Sequence, residues 1–168
     1  MEVEKILEHV REIAKDLPRF SDGRINYTGC KEAAVISIFI KYDDKLLLLK
    51  RSDNVGTYKG KWSTVTGYLD KIEPPLKKAL EEIREEIGIA DTEFLEIIAG
   101  EPFDIVDESI GKIWFTCPFL AILKELPEIT IEGEHTEYRW INPDELREYD
   151  LALDIDKAYE ACATAGRE

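Results

Sequence analysis

The sequence predicts an α/β protein, and three features predict it. Apolar, β-branched or leucine-rich runs at residues 33–41, 45–51 and 112–123 read as strands. Residues 1–17 and 76–87 carry apolar side chains at helical spacing, and a third such segment spans 154–165. Strands and helices are interleaved along the chain, which supports an α/β arrangement without settling its topology.

The elements follow in order. Ile6, Leu7, Val10, Ile13, Ala14 and Leu17 make residues 1–17 an amphipathic helix that Pro18 closes. Its stripe is expected to pack on the domain, with a homodimer contact as the second reading. Two runs, 33–41 and 45–51, are separated by Asp43-Asp44 and read as a hairpin. Residues 52–61, with Asp53, Asn54, Gly56 and Gly60, form a loop. A short strand, 62–66, then delivers the chain to Gly67. After the helix that ends at Gly88, residues 94–103 and 112–123 are two expected strands joined by a turn-prone acidic segment. A loop at 132–136 leads to a last strand, 137–141, followed by a helix start at Asn142-Pro143 and the terminal helix.

At 168 residues the chain suits one domain, spanning 1–168, with a core large enough to need no staples. Its net charge of −14 argues against a nucleic-acid polymer or an anionic membrane surface as partner, because both demand clustered Lys and Arg. Small phosphorylated ligands remain compatible where metal ions offset the charge. Cys30, Cys117 and Cys162 are widely spaced and indicate neither a zinc site nor a disulfide framework. No run approaches a membrane span and no secretory leader is seen, so a cytoplasmic location is expected.

The most informative stretch is GYLDKIEPPLKKALEEIREEIGI, from Gly67 to Ile89. Glu82, Glu85 and Glu86 stand at i, i+3 and i+4 and project from one side of the helix. Like charges so placed disfavour a helix unless a cation fills the gap between them. Leu76, Ala79, Leu80, Ile83 and Ile87 form the neighbouring apolar face, so the helix can dock on a core while its acidic edge borders a cleft. Hard cations such as Mg²⁺ prefer such oxygen ligands and share them with substrate phosphates.

This stretch resembles the signature of the Nudix hydrolases, G-x5-E-x7-R-E-U-x-E-E-x-G-U with U a bulky aliphatic. Gly67, Glu73, Glu82, Ile83, Glu85, Glu86, Gly88 and Ile89 match it; Glu81 stands where the family has arginine. The resemblance implies a Nudix-like α/β/α sandwich with a mixed sheet, the signature forming a loop-helix-loop beside it. It implies Mg²⁺ or Mn²⁺ held by Glu82, Glu85, Glu86 and the backbone carbonyl of Thr66. Gly67, Glu73 and Gly88 take structural roles in the motif. The implied activity is hydrolysis of a diphosphate linkage in a nucleoside diphosphate derivative or related organic pyrophosphate, with water as nucleophile.

The proton acceptor is sought among the helix glutamates and in EGEHTEYRW, a segment that resembles the family's downstream acidic loop; Glu137 is preferred and Glu134 follows. His135 reads as a solvated loop residue. Arg51 and Lys61 are candidate phosphate contacts. Tyr58, Trp62, Phe103, Trp114 and Tyr138 are candidate stacking surfaces, although aromatics in strands usually belong to the core. Glu81 changes the local charge by two units relative to arginine; Arg84 and Lys77 lie within reach of Glu81, and Lys78, four residues before Glu82, within reach of Glu82, to restore some of it. Two rivals follow. A catalytically degenerate Nudix module would bind a nucleotide without cleaving it, and a Nudix-fold diphosphate isomerase would need an active-site cysteine.

Overall fold

The computed structural model describes residues 1–165. The hairpin forms as expected: β1 (Glu32–Tyr42) turns through Asp43, in the left-handed region at φ 54°, into β2 (Lys45–Arg51). The second expected strand pair is less simple. β7 (Lys112–Leu123) lies parallel to β1 along its length, from Glu32 beside Ile113 to Lys41 beside Ile122. The run expected as one strand at 94–103 is instead two, β5 (Phe94–Ala99) and β6 (Phe103–Asp107), which pair antiparallel with the far and near halves of β7. The break falls at Gly100, whose amide donates to the Pro118 carbonyl at 2.9 Å. Pro102, lacking an N–H, cannot continue a ladder there.

Residues 62–68 also split, into β3 (Trp62–Ser63) and β4 (Val65–Tyr68), around buried Thr64, whose hydroxyl donates to the Ile38 carbonyl. β4 pairs with β1 from Val35–Tyr68 to Ile38–Val65, whereas β2 pairs with β1 only at its hairpin end. Beyond that point β2 parts from β1 and pairs with β3 and with β8 (His135–Ile141). The functional cleft opens at this fork.

Helices cover both faces of this mixed sheet. On one side lie α1 (Val3–Ala14) and α2 (Pro75–Ile87), which share a core with Ala34, Ile36, Ile38, Leu47, Leu49 and Phe115. Ile6, Leu7, Val10 and Ala14 are the buried residues of α1, so its stripe is used on the chain's own core. On the other side α3 (Ile155–Ala165) packs Ile155, Ala158 and Cys162 against Phe39, Leu46, Leu48 and Leu120. The architecture is the expected α/β/α sandwich. A short 3-10 helix, Pro143–Glu148, stands where a helix start was expected. No helix among the described residues is long and apolar enough to cross a membrane.

α2 begins at a proline, where a missing N–H costs nothing, and ends at Gly88. Gly88 adopts φ 75° and returns its amide to the Arg84 carbonyl. Ala79, Ile83 and Ile87 are buried, Leu80 is half-buried, and Leu76 at the first turn is exposed. The docking stripe is therefore narrower than the periodicity suggested, and the acidic edge turns toward the fork.

Candidate active site

A cleft of about 720 Å³ occupies the fork. One wall is the rim of β4 and the acidic edge of α2, bringing Thr66, Gly67, Glu82, Glu85 and Glu86 together. The opposite wall carries Arg51 at the parted end of β2 and the loop through Tyr58, and Glu134, just before β8, stands beside Glu86. Residues far apart in sequence meet here because β1 exchanges β4 for β2 as its antiparallel neighbour.

Gly67 makes room for the Glu82 side chain rather than serving an unusual φ. A Cβ there would lie 2.7 Å from Cδ and 2.8 Å from Cγ of Glu82, closer than carbon atoms approach. β4 and α2 are thus packed backbone to carboxylate stem. Lys78 holds the same carboxylate: its Nζ lies 3.0 Å from Glu82 Oε1 and 3.4 Å from Asp70. Asp70 also receives Arg24 at 3.6 Å. Lys77 pairs with Glu73 at 3.0 Å, tying the signature loop to the first turn of α2. Glu81 lines the cleft beside this network.

Electrostatics converge on Glu86. Burial pushes its carboxyl up to about 10, and the charges of Glu82 and Glu134 push the same way. Glu82 is also raised, by burial first, with Lys78 opposing. Glu86 Oε2 is buried and has no hydrogen-bond partner. An orphaned carboxylate oxygen among other carboxylates is costly unless a proton or a cation joins it. The donor set is all oxygen, and Gly67 lets Glu82 sit flush against the strand. Oxygen donors of this kind suit a hard divalent ion, and Glu82, Glu85, Glu86 and the Thr66 carbonyl are the groups here that could hold one. A separate group, His9, Glu32 and Asp104, brings potential ligand atoms within 4.8 Å of one another on the α1 side of the sheet.

Other expected residues fall differently. Arg51 lines the cleft, its Nε donating to the Thr57 carbonyl at 3.0 Å. Burial draws its guanidinium down, while Glu134 and Glu86 draw it up. Lys61 points to Asp150 at 3.0 Å and is not among the cleft-lining residues. Glu137 is ion-paired with Arg139 at 3.0 Å and also lies outside the lining, whereas Glu134 is in it. His135 is buried, not solvated, because β8 starts two residues earlier than expected; burial lowers its pKa, and Nδ1 has no partner. Trp62 packs on the opposite face, under Lys50 and Arg139 and edge-on to Tyr149. Cys117 and Cys162 are buried with thiols pushed up to about 12, the reverse of an activated nucleophile, and no cysteine lines the cleft.

A family model, the NUDIX domain, matches residues 31–162, which takes in both walls of this cleft. The chain belongs to the NUDIX family. As a member it is a Nudix-type pyrophosphohydrolase. It is 28% identical over 131 residues to nucleoside triphosphatase NudI of Escherichia fergusonii, across 72% of this chain and 89% of that protein. In structure it is similar to a NUDIX hydrolase from Nitrosomonas europaea, with TM-score 0.65 and 21% identity over 82% of this chain and 92% of that one. An Ap4A hydrolase from C. elegans has the same fold at TM-score 0.63 and 16% identity, covering 79% and 96%.

The sequence reading missed Tyr68, Asp70 and Arg24, all of which line the Nudix cleft. Tyr68 had a usable signal. Thr66 and Tyr68 are two residues apart on one strand and must share a face. The other two depend on a contact between distant loops and left no local mark.

Proposed function

We propose that this Nudix protein hydrolyses a phosphoanhydride of a nucleoside triphosphate or another nucleoside diphosphate derivative, with Mg²⁺ or Mn²⁺ as cofactor. The observation that carries the metal dependence is the buried, unpartnered Oε2 of Glu86, set beside Glu82 and Glu134. The relatives named as nucleoside triphosphatases support the nucleotide class, and the open, partly aromatic cleft has room for one.

Glu82, Glu85, Glu86 and the Thr66 carbonyl hold the ion. When bound, it neutralises charge on the phosphate oxygens and makes water a stronger nucleophile at neutral pH. Lys78 holds Glu82 against β4 so that its carboxylate needs little reorganisation. Arg51, in the opposite wall, binds a phosphate oxygen through its free guanidinium nitrogens. Glu134 accepts the proton that the attacking water gives up, taking this role ahead of Glu137, whose carboxylate is held by Arg139.

Purified protein incubated with nucleoside triphosphates, nucleotide sugars and dinucleoside polyphosphates, with Mg²⁺, Mn²⁺ or chelator, tests the proposal by mass spectrometry of the products. Metal-dependent cleavage of one class is expected. A folded protein that turns over none of them with either metal overturns it.

A further inference from the structure

We propose that Asp107, which lies outside the cleft, is a positioning residue for the reaction: through Tyr58 it fixes the loop whose Thr57 carbonyl aims the Arg51 guanidinium at a substrate phosphate. This rests on the phosphate contact given to Arg51 above. Asp107 is buried at the end of β6 and is not among the cleft-lining residues. Both of its carboxylate oxygens are in use. Oδ1 accepts from the amide and the hydroxyl of Ser109 and so closes the turn into β7, while Oδ2 accepts from the Tyr58 hydroxyl at 2.8 Å. The hydrogen bonds from Ser109, and then that from Tyr58, hold the carboxyl below the usual carboxylate range, so it is ionised at neutral pH. An ionised acceptor makes the stronger bond to a hydroxyl.

At the other end of that bond is a loop that needs holding. Residues 52–60 join β2 to β3. Backbone bonds close the loop at its base, from the Arg51 amide to the Lys61 carbonyl at 2.8 Å and from the Gly60 amide to the Arg51 carbonyl at 3.0 Å. Within it Tyr58 adopts φ 52°, a backbone state uncommon for an aromatic residue. Such a state persists where the surrounding contacts over-determine it. Here Asp107 accepts from the Tyr58 hydroxyl and the Trp114 indole Nε1 donates to it at 3.1 Å, so the side chain is gripped by two strands of the sheet.

The residue before Tyr58 carries the consequence. The Thr57 carbonyl accepts from Arg51 Nε at 3.0 Å, which sets the plane of the guanidinium. The terminal nitrogens of Arg51 have no hydrogen-bond or ion-pair partner among the described residues. Burial works against the charge of this group, and the charges of Glu134 and Glu86 offset that only in part. A half-buried cation with free planar donors suits a phosphate, and its contribution depends on where the fork points. Without the Tyr58 bond, the peptide that carries the Thr57 carbonyl loses its anchor and Arg51 loses its fixed direction, so the phosphate contact weakens although no group that touches substrate has changed.

Titration calorimetry with a non-hydrolysable nucleoside triphosphate analogue and Mg²⁺ tests the inference on wild type, Asp107→Ala, Tyr58→Phe, Ser109→Ala and Arg51→Ala, and on Arg51→Ala combined with each of the first two. Asp107→Ala, Tyr58→Phe and Arg51→Ala are each expected to weaken binding about tenfold, the usual scale for a hydrogen bond with a charged partner. Tyr58→Phe keeps the ring and removes only the hydroxyl. Ser109→Ala leaves the Tyr58 bond in place and should change binding less than about twofold, which separates the latch from the stability of its turn. In the Arg51→Ala background, Asp107→Ala and Tyr58→Phe should each add less than about twofold, because residues acting through one contact are not additive. The Tyr58→Phe cycle gives the same reading if Asp107→Ala does not fold. Losses that persist undiminished in the Arg51→Ala background, an equal loss in Ser109→Ala, or no loss where Arg51→Ala itself weakens binding overturns the inference and leaves the phosphate role of Arg51 standing. No loss on Arg51→Ala, or no binding by wild type, overturns both.

Discussion

Burial raises the Glu86 carboxyl to about 10, far above the value of about 4.3 that an unfolded chain gives it. The folded chain therefore keeps a proton that the unfolded chain releases. Metal-free stability from this group is full below about pH 4 and is lost as pH climbs toward 10. Glu86→Gln removes the ionisable group and keeps the shape. With chelator present, it should melt several degrees above wild type near pH 8 and vary less with pH; thermal melts across pH check this. A variant less stable than wild type at that pH would contradict the buried-carboxyl account. In turnover the order reverses. Glu85→Gln and Glu86→Gln should each lower kcat by about a hundredfold or more and weaken the response to metal, while Glu81→Gln should stay within about threefold. Steady-state rates across a metal titration separate them, and equal losses at all three would refute this division of roles. The glutamates that frame these predictions were legible as residues, because i, i+3, i+4 spacing places them on one helix edge whatever the rest of the fold does. Glu134 over Glu137, and a buried His135, were not legible: a β8 start at His135 decides which residues face the cleft, and that start is set by pairing with Arg51.

The element that matters most is the junction of β4 with α2. Its tightness depends on Gly67, since a methyl group there would collide with the Glu82 side-chain stem. Gly67→Ala should keep the overall fold, because the backbone needs no positive φ at this position. It should displace Glu82 and cut kcat/KM by at least about tenfold, with a matching rise in the metal concentration needed for half-maximal rate. Circular dichroism and a metal titration test both parts, and unchanged kinetics would show that Glu82 relaxes freely. Local pattern announced this element well: the proline start, the apolar stripe and the glycine stop all lie within α2. It announced β5 and β6 poorly. Gly100 and Pro102 are the local marks of the break between them, and the Gly100 bond to Pro118 and the close backbone of α3, 3.0 Å from a Cβ at that glycine, hold the chain in two strands there.

Across the whole molecule the net charge is −14, and part of that negative charge is gathered in the cleft. Carboxylates crowd one wall, where Lys78 pairs with Glu82 and the charges of Glu134 and Glu86 act on Arg51. Binding of a divalent ion to the folded chain alone must raise its stability by mass action, about 2.7 kcal/mol at a hundred times Kd. Mg²⁺ or Mn²⁺ should therefore raise Tm by several degrees, and chelator should reverse it. The increment should shrink in Glu86→Gln. An equal increment in wild type and variant would place the ion elsewhere, with the His9, Glu32 and Asp104 group as the alternative to examine.

The sequence by itself determined the helices, the hairpin and the acidic edge of α2, because these follow from periodicities of 3.6 and 2 and from turn residues acting within a few positions. It also carried the Nudix signature, whose spacing is local. The tertiary structure alone decided the fork in the sheet, and with it that Arg51 and Glu134 face the glutamates while Lys61 and Glu137 turn to other partners. It alone set Tyr58 between Asp107 and Trp114. Those outcomes depend on which strands pair and where pairing stops, a balance among contacts distant in the chain that no local pattern records.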